Sequence, residues 1–248
     1  MPSEDARYSA FFDQARERAK QQKLIETQQF SEIQHQSTSH PWGAYDTPIP
    51  RIEQNMGRLL GKPYRTFFEE RRDEKQGKFI YVMDVMGTGG YTKHYPVDRE
   101  VDVTLVDFRT DEQIAKDDKK GKFVVAGDIL QGRTWRDVKD TYSDFKDFEG
   151  FDLISCRPFG GWGILKGEQL STDPHALLTE WIAVNRMVSF LHTKGGTLLV
   201  EMSGAQDYKD WTSQLQNVQG IEAACSGNFV KIVRQTKQYG KLPRLDSH

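Results

Sequence analysis

The spacing of the apolar runs constrains this chain more than any other feature. Five short runs, Lys78–Met86 (KFIYVMDVM), Val101–Phe108 (VDVTLVDF), Lys122–Ala126 (KFVVA), Phe151–Cys156 (FDLISC) and Thr197–Met202 (TLLVEM), stand well apart. The last two, Ile221–Cys225 and Asn228–Gln235, are separated by little more than Ser226 and Gly227. Parallel neighbours need a crossover of about a dozen residues or more, whereas a hairpin needs roughly two to five. The pattern therefore predicts a sheet that is parallel through its first five strands and ends in an antiparallel hairpin. Nearly continuous apolar runs suit strands buried on both faces. Strands alternating with helices suit a doubly wound α/β sheet. Right-handed crossovers then bring every parallel strand's C-terminal end to one edge, where the candidate site residues fall.

Asp173 and Pro174 open a long helix that runs through Leu191 and stops at Gly195, and a second helix covers Tyr208–Gln216. Proline suits the first helical position because its missing N–H would be unpaired there anyway. Residues 1–75 read as an N-terminal helical accessory segment and 76–248 as the sheet domain. In Pro2–Gln36, Ser3 is a candidate N-cap, with Glu4 and Asp5 in the first turn. Tyr8, Phe11, Phe12, Ala15 and Ala19 form an apolar stripe. Such a stripe packs on the main domain, or else serves as a lid or as a contact with a protein partner or a second copy. Ser37–Pro50 is turn-rich, and Arg51–Asp73 reads as helix again.

A formal net charge of -2 over 248 residues gives no global pull toward nucleic acid or an anionic membrane. Lys116–Lys122 mixes charges and Lys231–Arg244 is basic only in part, so a solvated surface explains both most simply. Nucleic acid stays open as a partner. No apolar run nears the ~20 residues that span a bilayer, and Met1–Lys20 is too polar for a signal peptide. The cysteines, Cys156 and Cys225, form no C-x-x-C pair, and the histidines form no H-E-x-x-H. The expectation is a soluble, cytoplasmic protein without a structural metal.

Asp84-Val-Met-Gly87-Thr-Gly89-Gly90 closes the first run. Glycines there let the backbone turn tightly and approach a ligand, and a following helix start would offer free N–H groups. The dinucleotide fingerprint G-x-G-x-x-G is incomplete, because its last position is Thr92. Asp107 closes the second run, twenty positions after Gly87, where a carboxylate can accept from ribose hydroxyls. Asp128 follows the third run, placed to accept from an adenine amino group, with Ile129 to pack on the ring. The alternatives are a solvated strand end for Asp107 and a plain turn aspartate for Asp128.

This order of strand with glycine loop, strand with Asp107, strand with Gly127-Asp128, strand with Ser155-Cys156-Arg157-Pro158-Phe159, long helix, strand, helix and hairpin resembles the class I, Rossmann-like, S-adenosylmethionine-dependent methyltransferases. The resemblance covers about Gln76 to Gln235. It implies a seven-stranded sheet, mostly parallel with an antiparallel last strand, and S-adenosylmethionine over the strand ends. Carried over, Asp84, Gly87, Gly89, Gly90, Asp107, Asp128 and Ile129 would hold the cofactor. Where the family's loop has glycine two residues after the acid, this chain has Met86. Ser155, Arg157, Pro158 and Phe159 occupy the acceptor position. Arg157-Pro-Phe resembles the (Asp/Asn)-Pro-Pro-(Tyr/Phe) motif of amino-group methyltransferases without its leading acid or amide. Glu201 stands where a ribose methyltransferase would carry lysine. Glu201, His94 and Cys156 are the candidate catalytic groups, together with Asp84 as a base. The acceptor, whether small molecule, protein or RNA, stays open. A methyltransferase-like scaffold that has lost catalysis is the alternative.

Overall fold

The computed structural model describes residues 53, 56–86, 89–104, 107, 109–127, 129, 131–156, 174–202 and 208–245. The helix expected over Pro2–Gln36, with its lid and partner readings, lies outside the described residues. The strands are β1 (Tyr81–Val85), β2 (Arg99–Thr104), β3 (Lys122–Ala126), β4 (Leu153–Cys156), β5 (Gly196–Glu201), β6 (Ile221–Ser226) and β7 (Phe229–Arg234). They form one sheet in the order β3-β2-β1-β4-β5-β7-β6. The first five pair in parallel, and β7 runs antiparallel to both β5 and β6. The hairpin does more than extend the sheet. β7 folds back inside it, pairing Phe229 with Glu201 and Arg234 with Gly196, and leaves β6 at the edge.

The helices are α1 (Tyr64–Glu74), α2 (Tyr91–His94), α3 (Asp111–Lys119), α4 (Gly132–Tyr142), α5 (Pro174–Phe190) and α6 (Lys209–Gln216). Side chains alternate across each strand. Met83, Val85, Val103, Ile154 and Val200 thus share one core with Trp135 and Val138 of α4, Val184 and Met187 of α5, and Leu215 of α6. Val82, Leu153 and Leu199 point the other way, onto Tyr64, Phe67 and Phe68 of α1. Both faces are covered, as a doubly wound sheet requires.

Three expectations need correction. The helix predicted over Arg51–Asp73 is broken. Residues 56–60 are helical, Gly61 turns at φ +71°, and Pro63 stands just before α1. Proline has no N–H to continue the earlier helix, so it begins a new one. Nor is this stretch an accessory, because Tyr64, Phe67 and Phe68 of α1 pack on one face of the sheet, with Met56 and Leu60 buried beside them. The sheet domain therefore begins at or before Met56 rather than at Gln76. Finally, β2 is Arg99–Thr104, and Asp107, expected in the same strand, is not in it; Leu105, Val106 and Phe108 lie outside the described residues. Helices α3 and α4, which link β2 to β3 and β3 to β4, had no sequence assignment.

Charge fastens α1 to the sheet. Asp152, fully buried just before β4, accepts from Arg71 Nη2 and Lys75 Nζ, each at 2.9 Å, and from the Tyr81 backbone N–H at 3.0 Å. Arg71, in the last turn of α1, and Lys75, its C-cap, lie four residues apart, so their side chains project from the same side. Removing the carboxylate would leave Lys75 buried without a counter-charge and Arg71 with Glu74 alone, at the exposed rim. Asp152→Ala is expected to cost about 3–5 kcal/mol, measured as a fall in the urea-unfolding midpoint with an unchanged slope.

Candidate functional site

The glycine loop leaves β1 at the C-terminal edge of the sheet, next to the ends of β2 and β4. Asp84 is fully buried there. The Ser155 hydroxyl donates to its Oδ1 at 2.6 Å, and the Gly89 N–H donates to its Oδ2 at 2.8 Å. The register places Asp84 between Ser155 on β4 and Asp102 on β2, three polar side chains in a row on one face. Gly89 has φ +67°, and a Cβ on it would lie 2.2 Å from an Asp102 carboxylate oxygen. Both backbone and space therefore demand glycine at this position. Met86 has φ +58°, the left-handed conformation that glycine adopts freely. The Met86 N–H still reaches the Val103 carbonyl at 2.8 Å.

Sequence reasoning expected free N–H groups where α2 begins. They are taken. Glu100, fully buried on β2, accepts from the N–H groups of Gly90 at 2.5 Å, Tyr91 at 3.0 Å and Thr92 at 3.0 Å, and from the Thr92 hydroxyl at 2.8 Å. The protein's own carboxylate thus occupies the place an anionic ligand would fill at a helix start.

Asp102 lies two residues beyond Glu100 on the same face of β2, with Lys122 Nζ 3.0 Å from its Oδ2. Its other oxygen is buried without a hydrogen bond. Burial, then the neighbouring Glu100 charge, push the Asp102 carboxyl well above the ordinary carboxylate range. Burial alone would lower Lys122, but Asp102 and Glu100 outweigh it and hold the ammonium charged.

Asp107 stands three residues past the end of β2, within a fork from Arg109. Arg109 donates to Oδ1 from its backbone N–H at 3.0 Å and its Nε at 3.1 Å, and to Oδ2 from Nη2 at 2.9 Å. Partial burial would raise this carboxyl, but the Arg109 bonds and charge bring it below its usual value. Ile129 is 8% exposed, with its side chain in the core. Its carbonyl accepts from Trp135 Nε1 at 2.7 Å and Arg186 Nη1 at 2.9 Å.

The other candidates separate. Ser155 is buried and its hydroxyl is engaged by Asp84, so it braces the loop rather than facing an acceptor. Cys156 is fully buried, in register with Val85 and Val200. His94 is exposed at the end of α2, where its carbonyl accepts from Arg65. Glu201 is half-buried at the end of β5. Gly87, Asp128, Arg157, Pro158 and Phe159 lie outside the described residues. Glu100, Asp102, Lys122 and Arg109 were missed. Their signal was the alternation Glu100-Val-Asp102-Val, which puts two acids on one face of a strand. Among the described residues no group of three or more acid, histidine or cysteine side chains is arranged to hold a metal, and no helix is long and apolar enough to cross a membrane.

No protein-family model matches the chain, and no curated protein matches it. Solved structures of similar shape include a Plasmodium falciparum protein described as a ribosomal RNA methyltransferase (12% identity, TM-score 0.44, 73% of this chain and 98% of that one). The N-methyltransferase NodS of Bradyrhizobium japonicum is 14% identical, with a TM-score of 0.33 over 68% of this chain and 97% of that one. An S-adenosylmethionine-dependent methyltransferase of Clostridium acetobutylicum is 15% identical, with a TM-score of 0.32 over 79% and 78%. At these scores and identities the likeness carries no chemistry over to this chain.

Two outcomes are expected. Met86→Val puts a β-branched side chain into a left-handed backbone and should lower stability by about 1–2 kcal/mol in thermal unfolding, while Met86→Gly keeps the loop. Asp102 has a folded pKa above its ordinary value of 3.8, so from there upward the folded state holds a proton that the unfolded state has lost. Its contribution therefore makes stability fall as pH rises through that window. Urea unfolding of Asp102→Asn between about pH 5 and pH 8 should show a flatter dependence than the parent protein.

Proposed function

We propose that this protein binds S-adenosylmethionine over the C-terminal edge of its sheet and transfers a methyl group. The observation that carries the reading is a glycine loop backed by carboxylates. Asp84 and Glu100 already saturate the N–H groups of Gly89 through Thr92. A dinucleotide pyrophosphate relies on such groups at a helix start. Here it would meet buried negative charge instead. At an effective dielectric near 20, one like charge at about 5 Å costs ~3 kcal/mol, a factor of more than a hundred. The same charge favours a ligand that brings a sulfonium and an ammonium to the loop.

The residues present suit such a ligand. An ionised carboxylate offers about four lone-pair positions. Arg109 fills three on Asp107, so a ribose hydroxyl would share the group with Arg109. Asp128 would meet the adenine, with Ile129, whose side chain is in the core, contributing through its backbone N–H at most. When bound, the cofactor supplies an already activated methyl group, so the protein's part is alignment and exclusion of water. Of the candidate bases, Glu201 is the one at the strand edge with an exposed portion, and would take a proton from an acceptor that must lose one. Arg157, Pro158 and Phe159 would meet that acceptor, which is a small molecule, a protein or an RNA.

A second reading is a binding or assembly module without catalysis. It is favoured by the residue Met86 in a glycine conformation and by Ser155 engaged with Asp84. Calorimetric titration separates the two. S-adenosylmethionine and S-adenosylhomocysteine are expected to bind in the micromolar range, NADH not at all, and Asp107→Ala to weaken binding by tenfold or more. Absence of binding at millimolar ligand would reject the enzyme and leave the module.

A further inference from the structure

Past β7 the chain does not trail away. Arg234, buried at the end of β7, donates to the carbonyls of Ser189 and Leu191 at the end of α5, and to those of Thr236 and Lys237 in the turn beyond. From there the chain climbs beside α6. The Gly240 N–H meets the Gln219 carbonyl at 3.1 Å, just past the end of α6. Three residues later the Pro243 carbonyl accepts from two indoles, Trp181 Nε1 on α5 at 2.8 Å and Trp211 Nε1 on α6 at 3.0 Å. Leu242 and Leu245 on either side are buried in the main core, and the Arg244 guanidinium lies 5.9 Å from the Trp181 ring.

The place where this segment ends matters. α5 and α6 follow β4 and β5, so both begin at the C-terminal edge of the sheet and run away from it. Trp211 is in the first turn of α6, and Trp181 about two turns into α5. In the same layer the Tyr208 hydroxyl donates to Glu180 at 3.2 Å, with both side chains fully buried. The Pro243 carbonyl thus joins the two helices that flank the β4 and β5 ends. The glycine loop, on β1 and β2, has no contact with it among the interactions described above.

We propose that Tyr239–Leu245 is a latch that sets the spacing of α5 and α6 at the C-terminal edge, with Trp181 and Trp211 as positioning residues for the acceptor side of the site. The cofactor side is braced separately by Asp84 and Glu100. The latch's service to an acceptor rests on the methyl-transfer reading above, whereas the latch itself does not.

The test is hydrogen exchange on the full chain carrying Trp181→Phe and Trp211→Phe, which keep an aromatic ring and remove the two donors. Amides of 180–184, 209–216 and 241–245 are expected to exchange about tenfold faster, while those of β1 and β4 hold their rates. Affinity for S-adenosylhomocysteine should stay within about twofold of the parent's. Should the double variant not fold, each single substitution is expected to give about threefold in the same segments. Unchanged exchange would overturn the latch, as would an equal rise across the whole sheet, which marks a general loss of stability. A parallel loss of S-adenosylhomocysteine affinity would overturn the separation of the two sides. If the parent protein binds no S-adenosylhomocysteine, the methyl-transfer reading fails, and the exchange result still decides the latch.

Discussion

A buried N–H must find an acceptor, and at this sheet edge the acceptors are carboxylates. A glycine loop that turns this sharply exposes a run of backbone donors to the protein interior, where leaving one unpaired costs about 1–3 kcal/mol. Asp84 and Glu100 meet that demand from neighbouring strands. Their own burial sets the next requirement. Glu100 and Asp102 stand on one face of β2, so Lys122 on β3 has to reach across to Asp102. The loop's shape, the composition of β2 and the cation on β3 are one linked solution. Met86 in a left-handed backbone shows how strongly the surroundings hold the turn, since that conformation disfavours every residue but glycine and a few others.

The sheet is held by the same logic at its opposite edge. Asp152 gathers two cations from the C-terminal end of α1 and one strand N–H, and Arg234 gathers two carbonyls at the end of α5 and two in the turn beyond β7. Each is a buried charge whose partners come from different elements, so each registers a helix against the sheet rather than adding bulk to the core. The C-terminal edge of a doubly wound sheet is built from loops, and how those loops are placed depends on what the helices beneath them are fixed to.

Much of the fold could be read from the residues, and the reasons for the rest are specific. Lys122–Ala126 was found to the residue because Gly121 and Gly127 bound it. The hairpin followed from the two residues between β6 and β7. The position of β7 inside the sheet did not, because a hairpin's connection length is the same whichever of its strands lies inward. Asp107 reads as strand because Leu105, Val106 and Phe108 continue an apolar pattern past Thr104, yet it stands outside β2, paired with Arg109. α3 escaped notice because it has no buried residue and so no apolar stripe. At the site, Asp84, Gly89 and Asp107 were legible because glycine and acid at strand ends are local signals. Glu100 and Asp102 were not, because what each touches depends on strands brought beside β2 only by the fold.

The inward position of β7 also bears on how the molecule comes into being. β5 is complete at Glu201, yet the strand that pairs its far side begins at Phe229, with α6 and β6 made between them. A chain emerging from its N-terminus therefore carries β5 with one row of backbone donors and acceptors unmatched for nearly thirty residues. β6 is already present and has the wrong place to fill. Exposed strand edges of this kind invite pairing with other chains. The sheet closes only when β7 inserts, so this late strand guards the newborn protein as well as completing the sheet.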